Sequence, residues 1–238
     1  MDAVSVGKIP RIIHQVWYQF SSDKPATPPA EYDHMRQSWL DMNPGWEVRL
    51  WNEADSVAFL QAHFPEMLPV FLNYKKPIMR VDSIRYAILA HYGGVYVDVD
   101  TIALQPLEPL LQEKCVLVKD VTYFLGWNNG FMMVPPRHPL MLKCIRNLHL
   151  AAWYPNPITA TGPIYLTANW LTIQNKKDIR ILSVKEAKTY FHHRHDSSWN
   201  AAANWTKALD PQRRQYMTIE EVPLILKPFL KGKVGAAL

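Results

Sequence analysis

Only two cysteines, Cys115 and Cys144, occur among the 238 residues, and they do not stand in metal-ligand spacing to each other. A disulfide-rich scaffold and a closed zinc site are therefore excluded. No stretch reaches the roughly 18 uninterrupted apolar residues of a membrane-spanning helix, and Met1 to Pro10 has no long apolar core of the secretory kind. Internal repeats, low-complexity tracts and interdomain linkers are also missing. There is no run of about five or six Lys/Arg and no recognisable nucleic-acid module. With 26 Lys+Arg against 21 Asp+Glu the formal charge is only +5, so no nucleic-acid partner is expected, whereas a small anionic ligand fits. These absences lead us to expect a soluble protein, cytoplasmic or peripheral to a membrane.

What is present is the composition of a globular domain, 48% hydrophobic and 20% charged. At this length one domain spanning residues 1–238 is expected. Nine Trp and eleven Tyr suit a core, and also suit stacking on bases or sugars.

The apolar pattern has a β-α-β-α rhythm. Ile9 to Trp17 is dense in β-branched and aromatic residues and reads as a first strand. Ser21 to Pro29 is a loop. Tyr32, Met35, Trp39 and Leu40 recur at helical spacing within Glu31 to Met42, ahead of the breaker Asn43-Pro44-Gly45. Trp46 to Trp51 alternates as a strand, and Asn52 is placed to cap a helix running to about Phe64. Pro77 can open a helix over Ile78 to Tyr92, which Gly93-Gly94 ends. A short apolar strand, Val95 to Asp100, follows with acids at its carboxyl end. Strands are further expected at Cys115–Val118, Phe131–Val134 and Ile179–Ser183, and helices from about Pro139 to Ala151 and from Gly162-Pro163 to about Ile173.

Three groups of residues could carry chemistry. In a strand, Asp98 and Asp100 share one face. Two carboxylates so placed repel unless a cation neutralises them, and strand carboxyl ends in open α/β sheets are where ligands bind. Mg²⁺ or Mn²⁺ bridging to ligand phosphates suits them; a solvated turn is the plain alternative. Asp82 and Arg85, at i and i+3, share one face of an otherwise apolar helix. They fit either a structural ion pair or a polar pair presented to a phosphorylated or hydroxyl-rich ligand. The run Tyr190 to Trp199 holds His192, His193 and His195, which could complete a metal sphere begun by carboxylates; taken alone it reads as a surface loop. Asn128-Asn129-Gly130 and Thr161-Gly162-Pro163 read in isolation as turns.

Taken in order, Ile9-Pro-Arg-Ile-Ile-His-Gln-Val-Trp17, Asn43 to Trp51, Pro77-Ile-Met-Arg-Val-Asp-Ser-Ile-Arg through Tyr-Gly-Gly-Val-Tyr-Val-Asp-Val-Asp100, Asn129 to Pro139, Thr161-Gly-Pro163 and the His-rich run ending Ser198-Trp199 resemble glycosyltransferase family 32. That is the group with a DXD sugar-binding motif; it includes initiating α-mannosyltransferases, inositolphosphorylceramide mannosyltransferases and capsular-polysaccharide transferases. The resemblance covers about residues 9–199, leaving a C-terminal extension of about 200–238. It implies a GT-A fold, a Rossmann-like mixed sheet flanked by helices, binding a nucleotide sugar (a UDP- or GDP-hexose) with Mn²⁺ or Mg²⁺. Position by position, it implies that Trp17 stacks on the base and that Asp82 and Arg85 hold donor hydroxyls and diphosphate, with Tyr96 beside them. Asp98 would contact ribose, sugar or a metal-bound water, and Asp100 the metal. His193 or His195, with Ser198 and Trp199, would close the metal–diphosphate side, and Asn129 would lie near the donor sugar or acceptor. The acceptor would be a glycan, a lipid-linked molecule or another hydroxyl compound. Transfer would retain anomeric configuration; no carboxylate is marked as a covalent nucleophile, so front-face displacement is expected.

Two rivals remain at this level. Asp98-Val99-Asp100-Thr101 superficially matches a haloacid-dehalogenase-type phosphatase loop, but 97 residues precede it where that loop normally opens its domain. A non-catalytic sugar-nucleotide-binding module is the other; the intact acidic and Asp82/Arg85 sets argue against it. Val222 to Leu238 mixes Leu, Ile and Phe with three Lys and could rest on an anionic membrane.

Overall fold

In the computed structural model the described residues are 7–19, 22, 25–119 and 127–194. The alternating apolar segments assemble into a six-stranded sheet, formed by β1 (Ile12–Val16), β2 (Glu47–Trp51), β3 (Gly94–Val97), β5 (Val116–Lys119), β6 (Trp127–Val134) and β7 (Arg180–Leu182). The order is β2-β1-β3-β6-β5-β7, with β6 antiparallel to its neighbours and the other pairings parallel. A second, two-stranded antiparallel sheet joins β4 (Thr101–Ala103) to β8 (Phe191–His193).

The helices are α1 (Asp33–Met42), α2 (Glu53–His63), α3 (Leu68–Asn73), α4 (Pro77–Tyr92), α5 (Pro139–Ala151), α6 (Pro157–Ala160), α7 (Pro163–Leu171) and α8 (Val184–Tyr190). Both faces of the sheet are covered, so its strands read as continuous apolar runs. Tyr96, Leu117, Met132 and Val134 point into one core with α2, α4, α5 and α7. Their neighbours Val95, Val97, Val116, Phe131 and Met133 point into the other, with Trp39 of α1, Ala187 of α8 and Phe191 of β8. The period of two simply alternates between two apolar environments.

The local signals hold where they are strong. Asn52 caps α2 by accepting from the Asp55 amide at 2.8 Å, and Pro77 opens α4. That helix stops at Gly93, with φ 65°, and Gly94 follows with φ 95°. A Cβ on Gly94 would lie 2.4 Å from the Ile12 carbonyl oxygen, so the helix can turn back beside β1 only with glycine there. His14 of β1 fastens the same corner. Its Nε2 is 3.1 Å from the Gly93 oxygen, and its Nδ1 accepts from the Trp51 indole at 3.2 Å. Burial pushes its pKa down to about 4, so it is a neutral structural imidazole.

Four expectations need correction. The strand expected over Val95 to Asp100 ends at Val97, because Asp98 turns the chain: its carbonyl accepts from the Thr101 amide and hydroxyl at 3.2 and 2.6 Å. Strand alternation is thus not what brings Asp98 and Asp100 together. Asn128-Asn129-Gly130 is not a turn but part of β6, where Asn128 pairs with Val118 of β5 and the Gly130 carbonyl accepts from the Asp98 amide at 2.9 Å. Phe191 to His193 is not loop but β8, paired to β4. The last helix expected ends at Leu171 rather than Ile173. Among the described residues no helix is long and apolar enough to cross a membrane.

Candidate functional site

The carboxyl ends of β1 and β3 and the start of the antiparallel β6 meet at one edge of the sheet, where α4 runs beneath them. Arg85 of α4 is the hub. It is 2% exposed, and its Nη2 lies 2.7 Å from Asp82 Oδ1. Its Nη1 donates to the Asn129 carbonyl at 2.7 Å and lies 3.4 Å from Asp98 Oδ1. The guanidinium carbon sits 4.3 Å from the centre of the Tyr96 ring, a cation–π distance. Burial works against the Arg85 charge, but the Tyr96 ring and the two carboxylates outweigh it, and its pKa stays above the ordinary value.

Asp82 is buried too. Besides Arg85 it accepts from the Asn129 side-chain amide at 3.1 Å and the Thr161 hydroxyl at 3.3 Å. Burial raises its pKa to about 6, with Arg85 opposing and Asp98 adding to the rise. Asp98 Oδ1 accepts from the Tyr96 hydroxyl at 2.9 Å. Its other oxygen, Oδ2, faces His193 Nε2 at 3.7 Å. Asp100 Oδ1 is 3.1 Å from the same nitrogen. One ligand atom from each of Asp98, Asp100 and His193 falls within 4.8 Å of the others.

Secondary structure explains this meeting. Thr101 pairs with His193 across β4 and β8, and the Arg194 amide donates to the Asp100 carbonyl at 3.0 Å. The imidazole thereby reaches the two carboxylates from far along the chain. Two carboxylates and one imidazole, partly open to solvent, make an oxygen-rich donor set that fits Mn²⁺ or Mg²⁺. A cation there would also relieve the repulsion between the acids.

Beside this cluster opens a cavity of about 270 Å³ lined by Gln15, Tyr32, Arg36, Leu50 and Val99 among others. Trp17 lies under its wall. It is 5% exposed, its indole nitrogen donates to the Pro25 carbonyl at 3.1 Å, and its ring centre is 5.5 Å from that of Tyr32. Tyr32 therefore presents the aromatic surface to the cavity. Sequence reading did not single it out, because it appears there as one more apolar position of a helical face.

Of the residues expected at the site, Asp82, Arg85, Tyr96, Asp98, Asp100, Asn129 and His193 come together, with Trp17 at the adjoining cavity. Arg85 lies beneath the carboxylates rather than open to a ligand. His195, Ser198, Trp199 and the C-terminal segment lie outside the described residues.

The family described as the glycosyltransferase sugar-binding region containing a DXD motif matches residues 29–117, which include Asp82, Arg85, Asp98 and Asp100. This match over part of the chain agrees with the resemblance to DXD-containing glycosyltransferases noted in the sequence. The chain is 36% identical over 217 residues to mannosyl phosphorylinositol ceramide synthase SUR1 of Saccharomyces cerevisiae, covering 85% of this chain and 55% of that protein. It is 29% identical over 207 residues to inositol phosphoceramide mannosyltransferase 1 of Schizosaccharomyces pombe, covering 81% and 63%. The chain thus spans little more than half the length of these relatives. Among solved structures, the UDP-bound glycosyltransferase domain from the YGT toxin superposes with a TM-score of 0.54 at 9% identity, covering 97% of this chain and 95% of that one. That likeness carries the GT-A fold. The family match also decides against the phosphatase reading of Asp98 and Asp100.

Proposed function

We propose that this chain transfers a hexose from a nucleotide sugar to a hydroxyl acceptor, with the donor diphosphate held at a divalent cation on Asp98, Asp100 and His193. The observation that carries the reading is the convergence of those three side chains beside the buried Arg85–Asp82 pair, at the ligand-binding edge of the sheet. Asp100 and His193 would be direct ligands, with Asp98 a ligand or an acceptor for metal-bound water; His195, Ser198 and Trp199 are proposed to close that side. Mn²⁺ or Mg²⁺ would supply charge neutralisation of the departing diphosphate.

The chain's own groups do the rest. Asp82 and Asn129 face the donor sugar hydroxyls as acceptor and donor. Arg85 keeps both carboxylates oriented and brings a fixed positive charge close to where negative charge develops, without reorganisation during the reaction. The base would lie in the cavity against Tyr32, with Trp17 supporting it from behind. Among the described residues Asp82, Asp98 and Asp100 are engaged with Arg85, Tyr96 or His193, which leaves none of them free as a covalent nucleophile and supports front-face displacement with retention. The relatives' names, a mannosyl phosphorylinositol ceramide synthase and an inositol phosphoceramide mannosyltransferase, favour GDP-mannose over UDP-hexoses as donor and an inositol-phosphate lipid over a free glycan as acceptor.

The deciding experiment is donor hydrolysis and binding with Mn²⁺ across UDP- and GDP-sugars, comparing the native chain with Asp100→Ala. We expect metal-dependent turnover of one donor, reduced roughly 100-fold or more in the variant, equivalent to several kcal/mol of transition-state stabilisation. Binding of a nucleotide sugar without turnover on any hydroxyl acceptor would replace the transferase with a binding module. Absence of both binding and turnover would overturn the donor reading altogether.

A further inference from the structure

Gly130 continues the antiparallel pairing of β3 and β6 beyond Val97 and Phe131. Its carbonyl accepts from the Asp98 amide at 2.9 Å, so positions 98 and 130 are direct cross-strand neighbours. Side chains at such positions project to the same side of the sheet. A Cβ built on Gly130 would stand 2.2 Å from Asp98 Oδ2 and 3.0 Å from its Cγ. The carboxylate thus fills the space that a side chain at 130 would need.

The backbone gives no reason for glycine there. Unlike Gly93 and Gly94, Gly130 is not in the left-handed region, and glycine inside a strand is less stable than alanine. The oxygen that would be displaced is Oδ2, the one directed at His193, while Oδ1 is engaged by the Tyr96 hydroxyl and lies near Arg85. The Asn128 side chain accepts from the Gly130 amide at 2.6 Å, which fixes the glycine backbone against the carboxylate.

We propose that Gly130 is a positioning residue for the cation site: the missing side chain seats the Asp98 carboxylate so that Oδ2 faces Asp100 and His193. This rests on the metal reading of the site given above. Any Cβ at 130 swings Asp98 away from Tyr96 and withdraws Oδ2 from the ligand set. Because the obstructing atom is the far end of a flexible side chain, the strand itself survives the substitution.

The test measures Mn²⁺ affinity from the free-ion electron paramagnetic resonance signal and thermal stability by calorimetry, in native chain, Gly130→Ala, Asp98→Ala and the double variant. Gly130→Ala is expected to bind Mn²⁺ about tenfold or more weakly, the effect typical of lost ligand orientation. In the Asp98→Ala background the same substitution should add nothing, since the two act through one carboxylate. Native-like affinity in folded Gly130→Ala, or a further loss in the Asp98→Ala background, would overturn the proposal. Should Gly130→Ala melt early, recovery of its melting temperature on adding Asp98→Ala supports it, and no recovery overturns it. Failure of the native chain to bind Mn²⁺ would instead sink the metal reading itself.

Discussion

The Asp82 carboxylate sits between opposing demands at the residue scale. Burial favours its neutral form, whereas Arg85 at 2.7 Å favours the charged form; burial prevails enough to raise the pKa from 3.8 to about 6. A carboxyl whose pKa is higher folded than unfolded holds its proton more tightly in the folded state. Between about pH 4 and 6 the folded chain therefore carries a proton that the unfolded chain has lost. Its contribution to stability declines as pH rises through that window, by up to about 1.4 kcal/mol per pH unit. Asp82→Asn, which cannot titrate, should accordingly gain stability relative to the native chain from pH 4 to 6 and run parallel above about pH 7. Chemical denaturation at each pH checks this. A constant difference across the window would show that Arg85 keeps Asp82 charged throughout.

At the scale of elements, β8 is only three residues long, yet it delivers His193. Its hold depends on Phe191, which stacks on Phe131 with ring centres 4.6 Å apart and planes at 8° and also meets Trp39. The Trp39 indole in turn donates to the Thr101 carbonyl of β4 at 3.1 Å. Phe191→Ala should cost about 3–5 kcal/mol, as truncations of buried aromatics do. It should also weaken Mn²⁺ binding, although Phe191 touches no ligand atom. Unaltered Mn²⁺ affinity alongside lost stability would mean that β8 is positioned by its ladder with β4 alone.

The same element shows where sequence reasoning stops. The helix over Pro77 to Tyr92, its glycine stop and the strand after it are written in local signals: an opening proline, uninterrupted apolar residues and two left-handed positions. The meeting of Asp98, Asp100 and His193 is written in none of them. Strand alternation gave the right neighbours, Asp98 and Asp100, for a reason the turn at Asp98 removes. Three-residue strands such as β4 and β8 have too few positions to show a period, and their pairing is set by tertiary contacts. The His-rich run therefore looked like a loop. Trp17 was legible as an aromatic ending β1, but its burial behind Tyr32 depends on how α1 packs, which periodicity does not encode.

On the scale of the whole molecule, the candidate ligands belong to two segments that only the folded chain brings together. Asp98 and Asp100 lie on the turn leaving the main sheet, and His193 closes the small sheet packed against it. An ion bound by all three would favour the folded state over the unfolded chain, in which these side chains are far apart. At a hundred times the dissociation constant such linkage contributes about 2.7 kcal/mol. For a domain of this size that corresponds to a rise in melting temperature of roughly 5–10 °C. Calorimetry of the native chain with saturating Mn²⁺ should show this rise, and a chelator should reverse it. Asp100→Ala and His193→Ala should each lose most of the shift. If either variant keeps all of it, the stabilising ion sits elsewhere and the two-segment site is wrong. If both lose it while Asp98→Ala keeps a reduced part, Asp100 and His193 are the direct ligands and Asp98 acts through metal-bound water.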